Sequence, residues 1–255
     1  MTRIAHLGTE LAIVVLGVLL ALWAQAWFET RKEAAIHRET IAQMDDMFAR
    51  VLVQTAARVA ASECATQRIA ELDDALRASN GQWRGMPLPG LLDPGTQARF
   101  PPVYVFDSDV LPLEIFDTAR QNGTLAGLSA DDRRFYLAME RQFSWLNDVW
   151  GASSEPGMRL SVLGADGPLG EVARDGLRQD LAWHDMENRV TIMRARSLAR
   201  LAQERGFRLD ERHRADFRAK IERDRRMFGD CMTDVDPLTL EPTAPPRLPA
   251  EATEP

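Results

Sequence analysis

Residues 9–34 read TELAIVVLGVLLALWAQAWFETRKEA, and their reading decides where the rest of the chain lives. Eighteen residues, Leu11 to Phe28, carry no charge, and a dense charge cluster follows at once. At about 1.5 Å per residue a helix of that length covers roughly 27 Å, close to the hydrocarbon thickness of a bilayer. Trp23, Trp27 and Phe28 crowd one end, as amphipathic rings do at a membrane–water interface. Two other readings compete. Ala24-Gln25-Ala26 has the small-residue pattern that a signal peptidase cuts, but Arg3 and Glu10 make a poor basic leader, and bulky Trp23 and Trp27 flank the triplet. A buried core helix would need an apolar partner on every side, which suits only the inside of a large protein. The favoured reading is an uncleaved transmembrane anchor over residues 11–28, preceded by a short segment, 1–10.

The anchor alone leaves orientation open. Arg3 precedes it and Arg31, Lys32 and Arg38 follow, which leans toward a cytoplasmic C-terminal side. Long domains translocate largely regardless of charge, so this count is weak.

Of 255 residues with a formal net charge of −7, the anchor and a polar tail remove about fifty. What remains suffices for one sizeable core. The acidic balance argues against nucleic acid as a partner, because phosphate binding needs a basic face. Arg194, Arg196, Arg200 and Arg205 are interleaved with Leu and Ala and read as a solvated helix face. The last stretch, DPLTLEPTAPPRLPAEATEP, has too few large apolar residues to bury, so 235–255 is expected to be a flexible Pro-rich tail.

The body reads as helical. No Pro or Gly occurs from Thr30 to Ser79. Ile41, Met44, Phe48, Val51, Thr55, Ala65, Ile69, Leu72 and Leu76 recur at three- and four-residue steps, a coiled-coil-like seam broken only by Arg58 and Ser62. One long helix is predicted, continuous with the anchor and stopped at Asn80-Gly81. Residues 81–109 are turn-rich, with FPPVYVFDS as a short extended piece and MPLPGLL as a segment able to touch a bilayer surface. Pro112 opens a short helix ending at Gly123, and Ser129 with Asp132 resembles a capping box for the next helix. GASSEPG and GADGPLG bracket a predicted loop. A long helix over about Glu171–Arg205 carries Leu177, Leu181, Val190, Met193, Leu198 and Leu201 inward, and Asp210 caps a last one carrying Phe217, Ile221 and Phe228. The fold class is therefore all-α: an N-terminal transmembrane helix running into a soluble bundle of about four helices over 29–234, with a loop-rich insertion at 81–109.

Two blocks together carry a resemblance. ELAIVVLGVLLALWAQAW (Glu10 to Trp27) and IFDTARQNGTLAGLSADDRRFYLAMERQF (Ile115 to Phe143) resemble those of a group of uncharacterised bacterial single-pass membrane proteins. In that group an Ile/Val/Leu run with Gly-Val-Leu-Leu-Ala-Leu is followed later by a helix ending in Gly-x-Leu and a capped helix with Arg and Tyr. Gly123, Leu125, Ser129, Arg134 and Tyr136 hold those places here. The resemblance implies an anchored helical domain and no catalytic residue.

Chemistry is sparse. No Glu-x-x-His occurs, so the di-iron ligand pattern of helical bundles is missing and no metal or cofactor is expected. His184-Asp185 can pair as a base with its orienting acid, though a structural role for His184 is the stronger reading. ASSEPG is not a nucleophile elbow, and GADGPLG lacks the Lys-Ser/Thr of a phosphate loop. Trp145, Trp150 and Trp183 read as core before they read as a ligand pocket. Cys64 and Cys231, the only cysteines, are expected to form a disulfide. Ala56, Ala57, Ala60, Ala61 and Ala65 leave room for a neighbouring backbone beside Cys64, and Gly229 lets the chain turn before Cys231. A bridge persists only in an oxidising compartment, which sets the bulk of the chain in the periplasm, held at the inner membrane. The expected function is that of a membrane-anchored interaction or accessory protein rather than an enzyme. It would bind another membrane or periplasmic protein or a second copy of itself. The alternative is an extracytoplasmic ligand-sensing bundle that signals through a partner.

Overall fold

Good helix formers without a breaker from the N-terminus onward give a first helix, α1, that runs from Thr2 to Ala60. The computed structural model describes the backbone of residues 2–86 and 111–243, and within these the side chains of all but 2–15, 153–154 and 227. Seven helices occur among the described residues, with α2 over Ser62–Ala78, α3 over Glu114–Gln121, α4 over Thr124–Gly127, α5 over Ala130–Arg159, α6 over Glu171–Arg205 and α7 over Glu211–Phe228. The all-α class is as read, with more helices than the four expected. The chain divides into two compact units, Met1–Asp45 with Glu114–Arg133, and Asp46–Leu113 with Arg134–Pro255.

In the first unit, α3 and α4 lie against α1. Asn122 Nδ2 donates to Thr40 Oγ1 at 3.0 Å, and His37 Nδ1 meets Thr124 Oγ1 at 2.8 Å. Phe116, Ala119 and Leu125 are buried there. Gly123, at φ 78°, makes the left-handed turn between the two short helices. Ser129 caps α5 as predicted: its hydroxyl accepts from Asp132 N at 3.1 Å and donates to the Asp132 carboxylate at 2.7 Å. The apolar run of α1 also belongs to this unit. From Leu16 to Phe28 its large apolar side chains are 41–67 % exposed. Successive positions on a helix step around the axis, so this exposure covers every face. Among the described residues no helix is long and apolar enough to cross a membrane. Leu11 to Val15, the start of the uncharged run, lie outside the residues whose side chains are described.

In the second unit, α1 from Met47 to Ala57 is buried almost all round. Phe48 meets Phe135 and Phe207 edge-on, with ring centres 5.2 and 4.9 Å away. One core gathers Ala56, Ala57, Ala60, Ala61 and Cys64 against Leu209, Phe217, Ile221, Met232 and Val235. A second gathers Ile69, Leu72 and Leu76 of α2 with Trp83, Leu160, Leu163, Leu177 and Leu181. Asp73 clamps α2 to α6 by accepting from Arg178 Nε at 2.7 Å while it also accepts from Arg77 Nε at 2.8 Å. Two residues, Gln82–Trp83 (β1), pair antiparallel with Gly167–Pro168 (β2), and Trp83 Nε1 donates to Leu163 O at 3.0 Å. A Cβ on Gly85 would lie 2.8 Å from the Ala165 backbone, so only glycine fits there.

The helix predicted over 30–79 is interrupted at Ala61, with no Gly or Pro to mark it. The cause is an inserted donor: Thr233 N gives its hydrogen bond to Ala60 O at 2.9 Å, and Ser62 Oγ donates to Val59 O at 2.8 Å. The loop expected at GASSEPG is instead helical, because α5 runs through Pro156 to Arg159. Pro156 has no N–H to give to the carbonyl four residues before it, and α5 ends within one turn, with buried Leu160 and Leu163 following in a 3₁₀ helix. The tail expected from 235 also begins too early. Val235 is buried and bridges to Pro242, Leu238 and Leu240 pack on the first core, and Asp236 Oδ1 accepts from Leu238 N and Thr239 N. Residues 244–255, with PTAPP reaching into them, and the extended piece at 100–108 lie outside the described residues, as does most of MPLPGLL.

Cys64 and Cys231 are joined by a disulfide, with Cα atoms 5.4 Å apart and a separation of 167 positions in sequence. Closing a loop of that size stabilises by about 5 kcal/mol at most through the entropy of the unfolded chain. Replacing both cysteines by alanine is therefore expected to lower the unfolding free energy in urea by roughly 2–5 kcal/mol. A double variant as stable as the wild type would show that the bridge contributes nothing.

Candidate functional site

The inward face of α6 carries Leu177, Leu181, His184, Asn188, Thr191, Ala195 and Leu198, all buried, with Asp180 and Glu187 beside them. These positions keep the helical period, but the middle of the series is polar where a core would be apolar. Val190 and Met193, read from the sequence as part of the seam, lie off it: Val190 is half-buried and Met193 is exposed.

Arg58, one of the two breaks in the α1 seam, enters this polar stretch. It is buried, and its Nη2 donates to Glu187 Oε1. Burial pushes the Arg58 guanidinium down from its ordinary value, against the raising effect of Glu187. For Glu187, burial works toward the neutral form, but the hydrogen bond from His184 and the Arg58 charge outweigh it and hold the carboxyl below the usual carboxylate range. His184 Nδ1 lies 3.1 Å from Glu187 Oε2. An ionised carboxylate only accepts, so Nδ1 carries the proton, and in the neutral ring Nε2 presents a lone pair. The orienting acid is thus Glu187 and not Asp185, whose carboxylate accepts from Arg189 Nε at 2.8 Å. One helical turn sets His184 and Glu187 on the same face, whereas adjacent residues diverge.

α5 completes the site from the other side. Arg159 grips Asp180 through two bonds of 2.9 and 2.6 Å, and Arg194 donates to Gln142 Oε1 at 3.4 Å and covers the Trp145 ring at 4.0 Å. These contacts fix an antiparallel register that brings Trp150 level with Asn188 and Thr191. Trp150 is buried as expected, Trp145 is half-buried under Arg194, and Trp183 faces outward. The arginine face is only partly solvated, since Arg205 also lies over the Phe135 ring at 5.7 Å.

The other residues singled out in the sequence lie elsewhere. The bridged cysteines sit in the alanine-lined core. Trp23, Trp27 and Phe28 are exposed, with Arg31 over the Trp27 ring at 4.0 Å. A surface groove of about 190 Å³ is lined by Arg50, His213, Asp216, Lys220 and Arg223 among others. Its cations already face Asp46 and Asp224, which makes it a poor anion trap. Among the described residues no cluster of His, Cys, Asp and Glu can hold a metal. The chain matches no family model, no curated protein and no solved structure.

The carboxyls of Glu187, Asp73 and Asp210 are all held below their ordinary values. Burial opposes this at Glu187 and Asp73, and hydrogen bonds from His184 and from Arg178 with Arg77 overcome it. At Asp210 the leading cause is the backbone N–H of His213. A depressed carboxyl contributes stability above its unfolded value, about pH 4, and loses it as pH falls through the lower folded value. Urea unfolding is expected to give a nearly constant free energy from pH 7 to 5 and a steep fall below about pH 4. Glu187→Gln should lower the plateau and flatten the fall. Parallel wild-type and variant curves would remove Glu187 from the account.

Proposed function

We propose that the chain is a single-pass membrane protein whose α1 is anchored through residues 11–28, and that it acts by contact with another membrane or periplasmic protein rather than by catalysis. One observation carries the anchor: apolar side chains from Leu16 to Phe28 are exposed on every face of a helix that runs unbroken to Ala60. Such a surface is satisfied by lipid on all sides. The charge cluster from Glu29 to Glu33 and the Trp27–Arg31 stack make an interfacial collar at its end. The Cys64–Cys231 bridge suits an oxidising compartment, which favours the periplasmic side for the bulk of the chain. The accessory role is supported by exposed Trp183, Met186 and Met193 on the outer side of α6, at steps of three and seven residues that keep them on one helix face.

The wild type is expected to stay in the membrane pellet after an alkaline carbonate wash. Leu19→Arg with Leu22→Arg should move it to the supernatant, since each charge at mid-bilayer costs about 3 kcal/mol. A photo-crosslinker at Met186 in intact membranes should capture a second protein. Recovery of wild type in the wash would contradict the anchor, and capture of only lipid or the chain itself would contradict the accessory role.

A further inference from the structure

We infer that the polar layer between α5 and α6 is a binding site for one small uncharged molecule carrying hydroxyl or amide groups. The inference stands on the second unit alone and does not depend on the membrane reading. Four buried side chains there have polar atoms with no hydrogen-bond partner among the described residues: His184 Nε2, both amide atoms of Asn188, Thr191 Oγ1 and Trp150 Nε1. Buried polar atoms are nearly always paired, so five between one pair of helices are a concentrated exception. The three on α6 follow steps of four and three, which puts them in a row about 10 Å long.

Their chemistry defines the ligand. Trp150 and the Asn188 amide nitrogen only donate. The Asn188 oxygen accepts, the Thr191 hydroxyl does both, and His184 Nε2 accepts once Glu187 holds the proton on Nδ1. Donors and acceptors are therefore both present, which fits a group with both functions. Charge is excluded by the neighbours: Arg58 and Glu187 already neutralise each other, and a third buried charge would have no counter-ion. Gly157 of α5 packs beside the His184 lone pair. A Cβ at that position would lie 3.3 Å from His184 Nε2 and 3.5 Å from Cε1, covering the atom that must accept. Elsewhere in a helix alanine is the better residue, so glycine here lets α5 approach His184 at the expense of helix propensity.

The test uses the full chain in detergent micelles with erythritol as hydroxyl probe and acetamide as amide probe. The Trp150 indole N–H and the His184 ring nitrogens are followed by NMR during titration. At least one probe should give a saturable shift of both residues, and Gly157→Ala should weaken that binding tenfold or more while melting no lower than wild type. A shift with erythritol alone or acetamide alone names the preferred group. Absence of a saturable shift with either probe, or an unchanged affinity in Gly157→Ala, would overturn the inference.

Discussion

One buried ion pair, Arg58 with Glu187, holds the arrangement of the second unit. Taking two charges out of water is costly, and their attraction compensates only when geometry and further hydrogen bonds are good. Glu187 meets that condition by accepting from Arg58 on one oxygen and facing His184 on the other. The pair therefore does three things at once. It ties α1 to α6, it fixes the His184 ring so that Nε2 points away from the carboxylate, and it makes the layer neutral overall. Each of the polar groups further along α6 sits in surroundings that this pair defines.

The opposite side of α1 is built on the contrary principle. Ala56 and Ala60 project roughly opposite Arg58 on the helix, and their small side chains let other elements come to backbone distance. Thr233 then reaches Ala60 O, the helix breaks at Ala61, and Cys64 in the first turn of α2 meets Cys231. Large apolar residues from α7 and the C-terminal segment fill the space that alanine leaves. α1 is thus gripped by charge on one side and by close backbone approach on the other. Beyond the break, α2 is clamped to α6 through Asp73 and Arg178.

Much of this was legible in the sequence where a residue type has a single local meaning. Asp210 caps α7 by accepting from His213 N at 2.8 Å, Gly206 ends α6 at φ 65°, and the alanine face announced the disulfide. The failures share a cause: a local signal was overridden by a tertiary one. Gly157 and Pro156 look like a loop, but the glycine serves packing against His184 and the proline falls in a final turn. The break at Ala61 has no local mark because its donor comes from residue 233. An apolar pattern on α6 runs through Val190 and Met193, whereas the buried face passes through Asn188 and Thr191, whose polarity hides it. The usable signal was Arg58, a charge at a seam position, which asks for a buried carboxylate somewhere else in the chain.

The claim that the Arg58–Glu187 pair holds the second unit is tested most directly by a double-mutant cycle on unfolding free energy, with Arg58→Met, Glu187→Leu and the two combined. Each single change leaves a buried charge unpaired and is predicted to cost about 3–5 kcal/mol, while the double variant recovers most of that loss, a coupling of at least about 2 kcal/mol. Single changes that are mild and simply add, with a coupling under about 0.5 kcal/mol, would contradict the account.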